Sequence, residues 1–160
     1  MEASYIVFLL QPHHKNFNKR TIKSPKLYFY DTGLAASLLR IETEQQLQSH
    51  YLRGGLFENL VIAELLKQTY NKVKQPNLYF WRDSQGNEID CLLEHPNSIT
   101  PIEIKSGSTI NSNYFKGLQY WQKLEGETTQ QFVVYGGDKT EKRTQGTVLG
   151  WKEFTQEIEL

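Results

Sequence analysis

The sequence predicts an α/β domain in which helices flank a sheet, and three observations predict it. Short apolar runs that alternate with polar residues recur through the chain and read as strands. Two longer stretches, Leu56 to Tyr70 and Ser112 to Leu124, carry apolar residues at helical spacing. From Leu56 to Trp151 these segments follow one another as helix, three strands, helix, strand, strand, which suits a layered α/β domain rather than a barrel. A chain of 160 residues holds one such core-bearing domain and a short extension, divided here as residues 1–52 and 53–160.

The extension opens on Tyr5 to Leu10, a six-residue apolar run that reads as a buried strand and is too short for a signal-peptide core. Met1 leads almost directly into it, as expected of a segment belonging to a longer chain with an upstream domain. Gln11 to Pro25 is basic, with His13, His14, Lys15, Lys19, Arg20 and Lys23 and no acid. It reads either as a phosphate-contacting loop or as a solvated loop. His13 and His14 point to opposite sides of an extended chain and do not converge on a metal. Lys26 to Tyr30 is a further strand, turning at Asp31, Thr32 and Gly33 into a helix that carries Leu34, Leu38, Leu39 and Ile41. Asp31 or Thr32 is its N-cap. Residues 42–52 are a polar connection, and Gly54-Gly55 breaks the chain before the next helix.

On that helix Leu56, Leu60, Ala63, Leu66 and Tyr70 form an apolar stripe widened by Phe57, Val61 and Leu65, with Glu58 on its flank. Leu78 to Arg82 is an aromatic strand. Asp83 to Asn87 is a turn with Gly86 at a positive φ, and it delivers the chain into a strand from Glu88 to Glu94. His95 to Ser98 turns the chain again into Ile99 to Lys105. After the second helix, in which Gln119 is the polar residue to watch, come a strand from Gln131 to Tyr135, a charged loop from Asp138 to Gln145 and a last strand from Thr147 to Trp151. An aromatic patch, Trp151 to Phe154, closes the chain.

The two middle strands carry the chemistry. Side chains two apart on a strand face the same way, so Glu88 and Asp90 share one face, as do Glu103 and Lys105, leaving Ile89, Cys91 and Leu93, and Ile102 and Ile104, on the opposite faces. Carboxylates brought together repel unless a proton or cation lies between them, and oxygen ligands with open water positions suit Mg²⁺ or Mn²⁺. The plain alternative is a solvated Glu103–Lys105 pair, a strand-end Asp90 and a Glu58 that offsets a helix dipole.

Asp90, twelve intervening residues, then Glu103-Ile104-Lys105 after Pro101 resembles the signature of the PD-(D/E)XK nuclease-like superfamily, the restriction-endonuclease fold. The resemblance implies a restriction-endonuclease-like core of αβββαβ order. It further implies that Asp90 and Glu103 hold Mg²⁺ or Mn²⁺, that Lys105 orients or activates the attacking water, and that Glu58 on the preceding helix completes the site. Lys26-Leu-Tyr-Phe-Tyr-Asp-Thr-Gly-Leu, Gly55-Leu-Phe-Glu-Asn-Leu-Val, Phe80-Trp-Arg-Asp, Glu88-Ile-Asp and Ile102-Glu-Ile-Lys are together similar to a prokaryotic domain of unknown function that follows an AAA-type ATPase module. That likeness implies an upstream ATPase partner; it supplies no activity.

Lys plus Arg and Asp plus Glu balance at 18 each, so nucleic-acid binding would have to come from a local patch such as Lys15, Lys19, Arg20, Lys23 and Arg82. A single Cys excludes a disulfide framework and fits a reducing, cytoplasmic compartment. No run approaches the ~18 apolar residues of a membrane span. Three function classes remain: a metal-dependent nuclease, a catalytically silent domain that binds nucleic acid or protein and targets an ATPase, and an interaction module using Trp151, Phe154 or Tyr120.

Overall fold

A computed structural model describes residues 4–14, 23–126 and 130–160. The extension contributes β1 (Val7–Pro12), β2 (Lys26–Phe29), α1 (Thr32–Leu38) and α2 (Glu44–Ser49). The remainder runs α3 (Arg53–Asn71), β3 (Leu78–Arg82), β4 (Glu88–Glu94), β5 (Ile99–Lys105), a 3₁₀ turn (Ser112–Phe115), α4 (Lys116–Glu125), β6 (Phe132–Tyr135), β7 (Glu141–Arg143), β8 (Gly146–Gly150) and α5 (Phe154–Glu157). The described residues form one eight-stranded mixed sheet in the order β2-β1-β3-β4-β5-β6-β8-β7. Its centre, β3-β4-β5, is antiparallel, whereas β1 on β3, β6 on β5 and β8 on β6 are parallel. The extension is thus continuous with the rest, because Gln11 and Pro12 pair with Tyr79 and Phe80.

Two apolar layers cover the two faces of the sheet. Under α3 and α5 lie Phe8, Leu10, Phe80, Cys91, Leu93, Ile102, Ile104 and Val134 with Ile62, Leu66 and Phe154. Under α4 lie Trp81, Ile89, Leu92, Val133 and Val148 with Phe115, Leu118 and Trp121. Trp81 and Trp121 meet edge to face at 5.5 Å between ring centroids, a geometry that the ring quadrupoles favour. Each buried leucine or isoleucine in these layers contributes about 1.5–3 kcal/mol.

Several boundaries differ from the sequence reading. Tyr5 is exposed and has φ +56, so the first strand starts at Val7. Gly54 and Gly55 lie inside the first turn of α3 rather than before it. A Cβ at either position would meet no heavy atom within 4 Å, so nothing in the packing there requires glycine. Of the expected stripe on α3, Leu56, Val61, Ala63, Leu65 and Leu66 are buried and Tyr70 is exposed, while Asn59, Ile62 and Thr69 are buried beside them. Asn59 is satisfied there by three hydrogen bonds. Its Oδ1 accepts the Phe29 amide at 2.7 Å, and its Nδ2 donates to the Phe29 carbonyl at 2.9 Å and to Thr32 Oγ1 at 2.8 Å. One side-chain amide thereby covers the open edge of β2, where unpaired backbone would invite another strand.

On α1, Asp31 is the N-cap, accepting from the amides of Gly33 and Leu34 at 2.7 and 3.2 Å. Ala35 alone in that helix is buried, and Leu34, Leu38 and Leu39 are exposed. The charged loop after Asp138 holds a short edge strand, β7, whose Glu141, Lys142 and Arg143 show no apolar alternation. Phe154 is buried, so it offers no interaction surface, whereas Trp151 is partly exposed. No helix among the described residues is long and apolar enough to cross a membrane.

Candidate active site

The site is built at an irregularity in β4. Tyr79 pairs with Leu92 and Trp81 with Ile89, so two steps along β3 match three along β4, and the extra residue falls at Asp90–Cys91. Such a bulge reverses the facing of everything beyond it. Ile89 therefore packs under α4 while Cys91 and Leu93 pack under α3, and the expectation that all three share a face is corrected. Asp83 anchors the approach to this strand. It is buried, accepts from the amides of Gln85 and Asn87 at 2.9 Å each and from Tyr120 Oη at 3.0 Å, and holds the turn in which Gly86 takes φ +88. Burial by itself would raise the Asp83 carboxyl, but the hydrogen bonds from Asn87, Tyr120 and Gln85 hold it below the ordinary value.

The described ladder between β4 and β5 begins at Cys91 opposite Ile102. Beyond it Asp90 substitutes its side chain: Oδ2 accepts the Ile104 amide at 2.8 Å and the Lys105 ammonium at 3.1 Å. Lys105 Nζ also lies 2.5 Å from Glu103 Oε2. Asp90, Glu103 and Lys105 thus converge as the strand pattern predicts, in a pocket of about 390 Å³ also lined by Glu88, Lys116 and Tyr120. Glu103 is only 4% exposed. Its carboxyl is pushed up to about 8, first by burial and then by the Asp90 charge, with Lys105 opposing. At Lys105 the balance reverses. Burial lowers its pKa, but Asp90 and Glu103 together raise it above the ordinary value, so the ammonium stays charged.

A carboxylate pair that resists carrying two charges is a place where a cation relieves repulsion. Two hard oxygen donors with open space beside them fit Mg²⁺ or Mn²⁺ that keeps several of its waters. They do not make a closed protein cage. Among the described residues no three His, Cys, Asp or Glu side chains gather into a metal-holding group.

Glu58 does not join this pocket. Its Oε1 accepts from Tyr28 Oη at 2.5 Å and from Lys26 Nζ at 2.9 Å. Lys26 also pairs with Glu88, and Arg82 Nε lies 3.6 Å from the other Glu88 oxygen. Glu88 therefore turns to Lys26 and Arg82 while Asp90 turns to β5, although both line the pocket. Burial pulls the Lys26 pKa down, but Glu58 and Glu88 outweigh it and hold the ammonium above its ordinary value. The Tyr28 hydroxyl, buried beside Glu58 and within reach of the Asp90 charge, is held firmly protonated.

Of the predicted phosphate contacts, Arg82 and Lys23 are exposed, and Lys15, Lys19 and Arg20 lie outside the described residues. Gln119 is exposed and does not line the pocket. The lining residues of the second helical segment are instead Asn113, Lys116, Gly117 and Tyr120, which share one helical face at i, i+3, i+4 and i+7 spacing. Gly117 is needed for the approach of α4: a Cβ there would overlap Glu103 Oε1 and stand 2.8 Å from its Cδ. Glycine at that position has no local signature, since its requirement comes from a carboxylate on another element.

Residues 53–154 match the family described as Domain of unknown function (DUF4143). The chain belongs to that family. Residues 1–45 match a second description, Domain of unknown function (DUF8612). Uncharacterized proteins of Mycobacterium bovis and Mycobacterium tuberculosis are each 35% identical over 105 residues, covering 65% of this chain and 23% of the relative. The chain thus matches under a quarter of those relatives' length. In this DUF4143 domain every pocket residue from Gly86 to Tyr120 falls within the matched 53–154 range, whereas Lys26 and Tyr28 fall in the 1–45 match.

Proposed function

We propose that this DUF4143 domain has a restriction-endonuclease-like core and is a Mg²⁺- or Mn²⁺-dependent phosphodiesterase acting on nucleic acid. One observation carries the reading. Two adjacent strands bring Asp90, Glu103 and Lys105 to one wall of an open pocket, through a bulge that detaches Asp90 from the backbone ladder.

Asp90 and Glu103 would hold the ion. When bound, it supplies Lewis-acid polarisation of the phosphodiester and a more acidic water. Lys105, fixed by both carboxylates, directs its ammonium at the position where an attacking water or the developing phosphoryl charge would lie. Lys116 and Asn113 on the opposite wall offer donors to non-bridging phosphate oxygens. Tyr120, bonded to Asp83, fixes the distance between that wall and the β3–β4 turn.

The decisive experiment is cleavage of plasmid, single-stranded DNA and RNA with Mg²⁺ and with Mn²⁺, beside Asp90→Asn and Lys105→Ala. The expected result is cleavage by the wild type that both substitutions abolish. Absence of cleavage by the folded wild type with either ion would refute it. A second reading has its own support, because among the described residues no third His, Cys, Asp or Glu joins the pair in a metal-holding group, Glu88 being turned to Lys26 and Arg82. On that reading the domain is a silent nuclease fold that binds nucleic acid or protein and targets an ATPase carried elsewhere in a longer protein. It predicts salt-sensitive nucleic-acid binding without cleavage.

A further inference from the structure

A second cavity, of about 360 Å³, lies against α3 and shares no residue with the Asp90–Glu103 pocket. β5, β6 and β8 are parallel neighbours, and the residue that follows each of them, Ser106, Gly136 and Trp151, lines this cavity. Open α/β sheets receive ligands in that place, beyond the carboxyl ends of parallel strands. Leu47 of α2 and Phe57 and Leu60 of α3 add half-buried apolar wall. The volume falls within the range of small-molecule sites.

Arg53 brings a charge into this apolar surround. It is half-buried, its Nη2 donates to the Ser106 carbonyl at 2.9 Å, and among the described residues it has no carboxylate partner. Lys26 and Lys105, by contrast, are each held by two carboxylates. A guanidinium carries several N–H donors in a planar fork, so most of those on Arg53 have no protein acceptor. The side chain is nonetheless anchored. The Gly136 amide donates to the Lys105 and Gly107 carbonyls at 3.0 and 3.1 Å, and a Cβ on Gly136 would stand 2.5 Å from the Ser106 oxygen that Arg53 grips. Glu44, the carboxylate in the lining, is turned to Gln48 Nε2 at 2.9 Å and makes no ion pair with Arg53. An anchored guanidinium without a counter-ion, shielded from bulk water on several sides, attracts an anion more strongly than a solvated one does.

Trp151 supplies the other half of the recognition. It is 37% exposed, whereas Trp81 and Trp121 are fully buried. Lys152 stands over its ring, 5.7 Å from the centroid, and the ring also lines the cavity. An accessible indole is a stacking platform for a flat aromatic ring. We propose that this cavity binds a nucleoside monophosphate, with the phosphate on Arg53, the base against Trp151, and the polar edge of the base at Glu44 and Gln48. An aromatic acid without a polar ring edge would make no use of Glu44 and Gln48; a base brings both donors and acceptors to them. The inference is independent of the phosphodiesterase reading, because the two cavities have no residue in common.

Titration calorimetry with AMP on the 160-residue chain tests this, in EDTA so that no divalent ion takes part, with adenosine, ribose 5-phosphate and phenylacetate titrated beside it. One AMP should bind per chain. Arg53→Gln and Trp151→Ala, each shown by circular dichroism to be folded, should weaken AMP by about tenfold or more, and adenosine and ribose 5-phosphate should fall behind AMP by a similar factor. AMP should also quench tryptophan emission in the wild type but not in Trp151→Phe, whose remaining tryptophans, Trp81 and Trp121, are buried; that measurement needs no Arg53 variant to fold. Absence of saturable AMP binding by the wild type overturns the proposal. So does unchanged AMP affinity in folded Arg53→Gln, quenching that persists in Trp151→Phe, or phenylacetate binding more tightly than AMP.

Discussion

Replacing Glu103 by Gln should stabilise the fold, and by an amount that grows with pH. Glu103 is buried, with the Asp90 carboxylate alongside, so the folded chain holds a proton there up to about 8, against an ordinary value of 4.5. Below pH 4.5 folded and unfolded chains are both protonated at this position, and it contributes no pH dependence. Between 4.5 and about 8 the folded state binds the proton that the unfolded state has released, so stability falls as pH rises. Above about 8 the full cost of a buried, crowded carboxylate is present.

The gap between 4.5 and about 8, in which the opposing Lys105 contact is already included, is on the order of 5 kcal/mol at about 1.4 kcal/mol per pKa unit. Gln keeps the shape and hydrogen-bonding reach but never carries the charge. Urea unfolding of wild type and Glu103→Gln at intervals from pH 4.5 to 9 should therefore show the variant's advantage widening by about that amount, with titrating groups remote from Glu103 cancelling in the difference. A difference that stays flat across the range would mean that Glu103 is already ionised in the folded chain, and would refute the reasoning.

Two further substitutions test the architecture around the site. Asn59→Ala removes the hydrogen bonds to both backbone groups of Phe29 and to Thr32, and should cost about 2–4 kcal/mol; hydrogen exchange should show the Phe29 amide losing protection ahead of the β4 and β5 amides. Gly117→Val drives a side chain into Glu103 and should cost about 1–3 kcal/mol. If the phosphodiesterase reading holds, it should also weaken Mn²⁺ binding tenfold or more, and calorimetry would register either result.

Much of the fold was legible because its signals are local. Alternation along β4 and β5 placed both strands, and Leu78 to Arg82 read as a strand from its aromatic and apolar content. Gly86 announced a turn because a positive φ is nearly free only to glycine. Asp31 declared a helix start because a short carboxylate can satisfy first-turn amides. The convergence of Asp90, Glu103 and Lys105 was readable too, since residues two apart on neighbouring strands need only a hairpin to meet. By contrast β7 escaped notice because it is a charged edge strand with no buried face, so pairing with β8 and not its composition makes it a strand.

By itself, then, the sequence determined the order of the longer helices and strands, without β7 and α5, and brought three of the four expected site residues together, because each of those outcomes depends on neighbours within a few residues or across one turn. Only the tertiary structure decided the rest. The bulge that frees Asp90 exists because β3 and β4 differ by one residue in their packing between two apolar layers. Lys26 reaches Glu58 and Glu88 from a strand at the sheet edge, 32 residues from the former in sequence. Gly117 matters only because α4 crosses against Glu103. Each is a contact between distant segments, and such contacts leave no local period in the chain, because the partner that creates them is supplied by the fold.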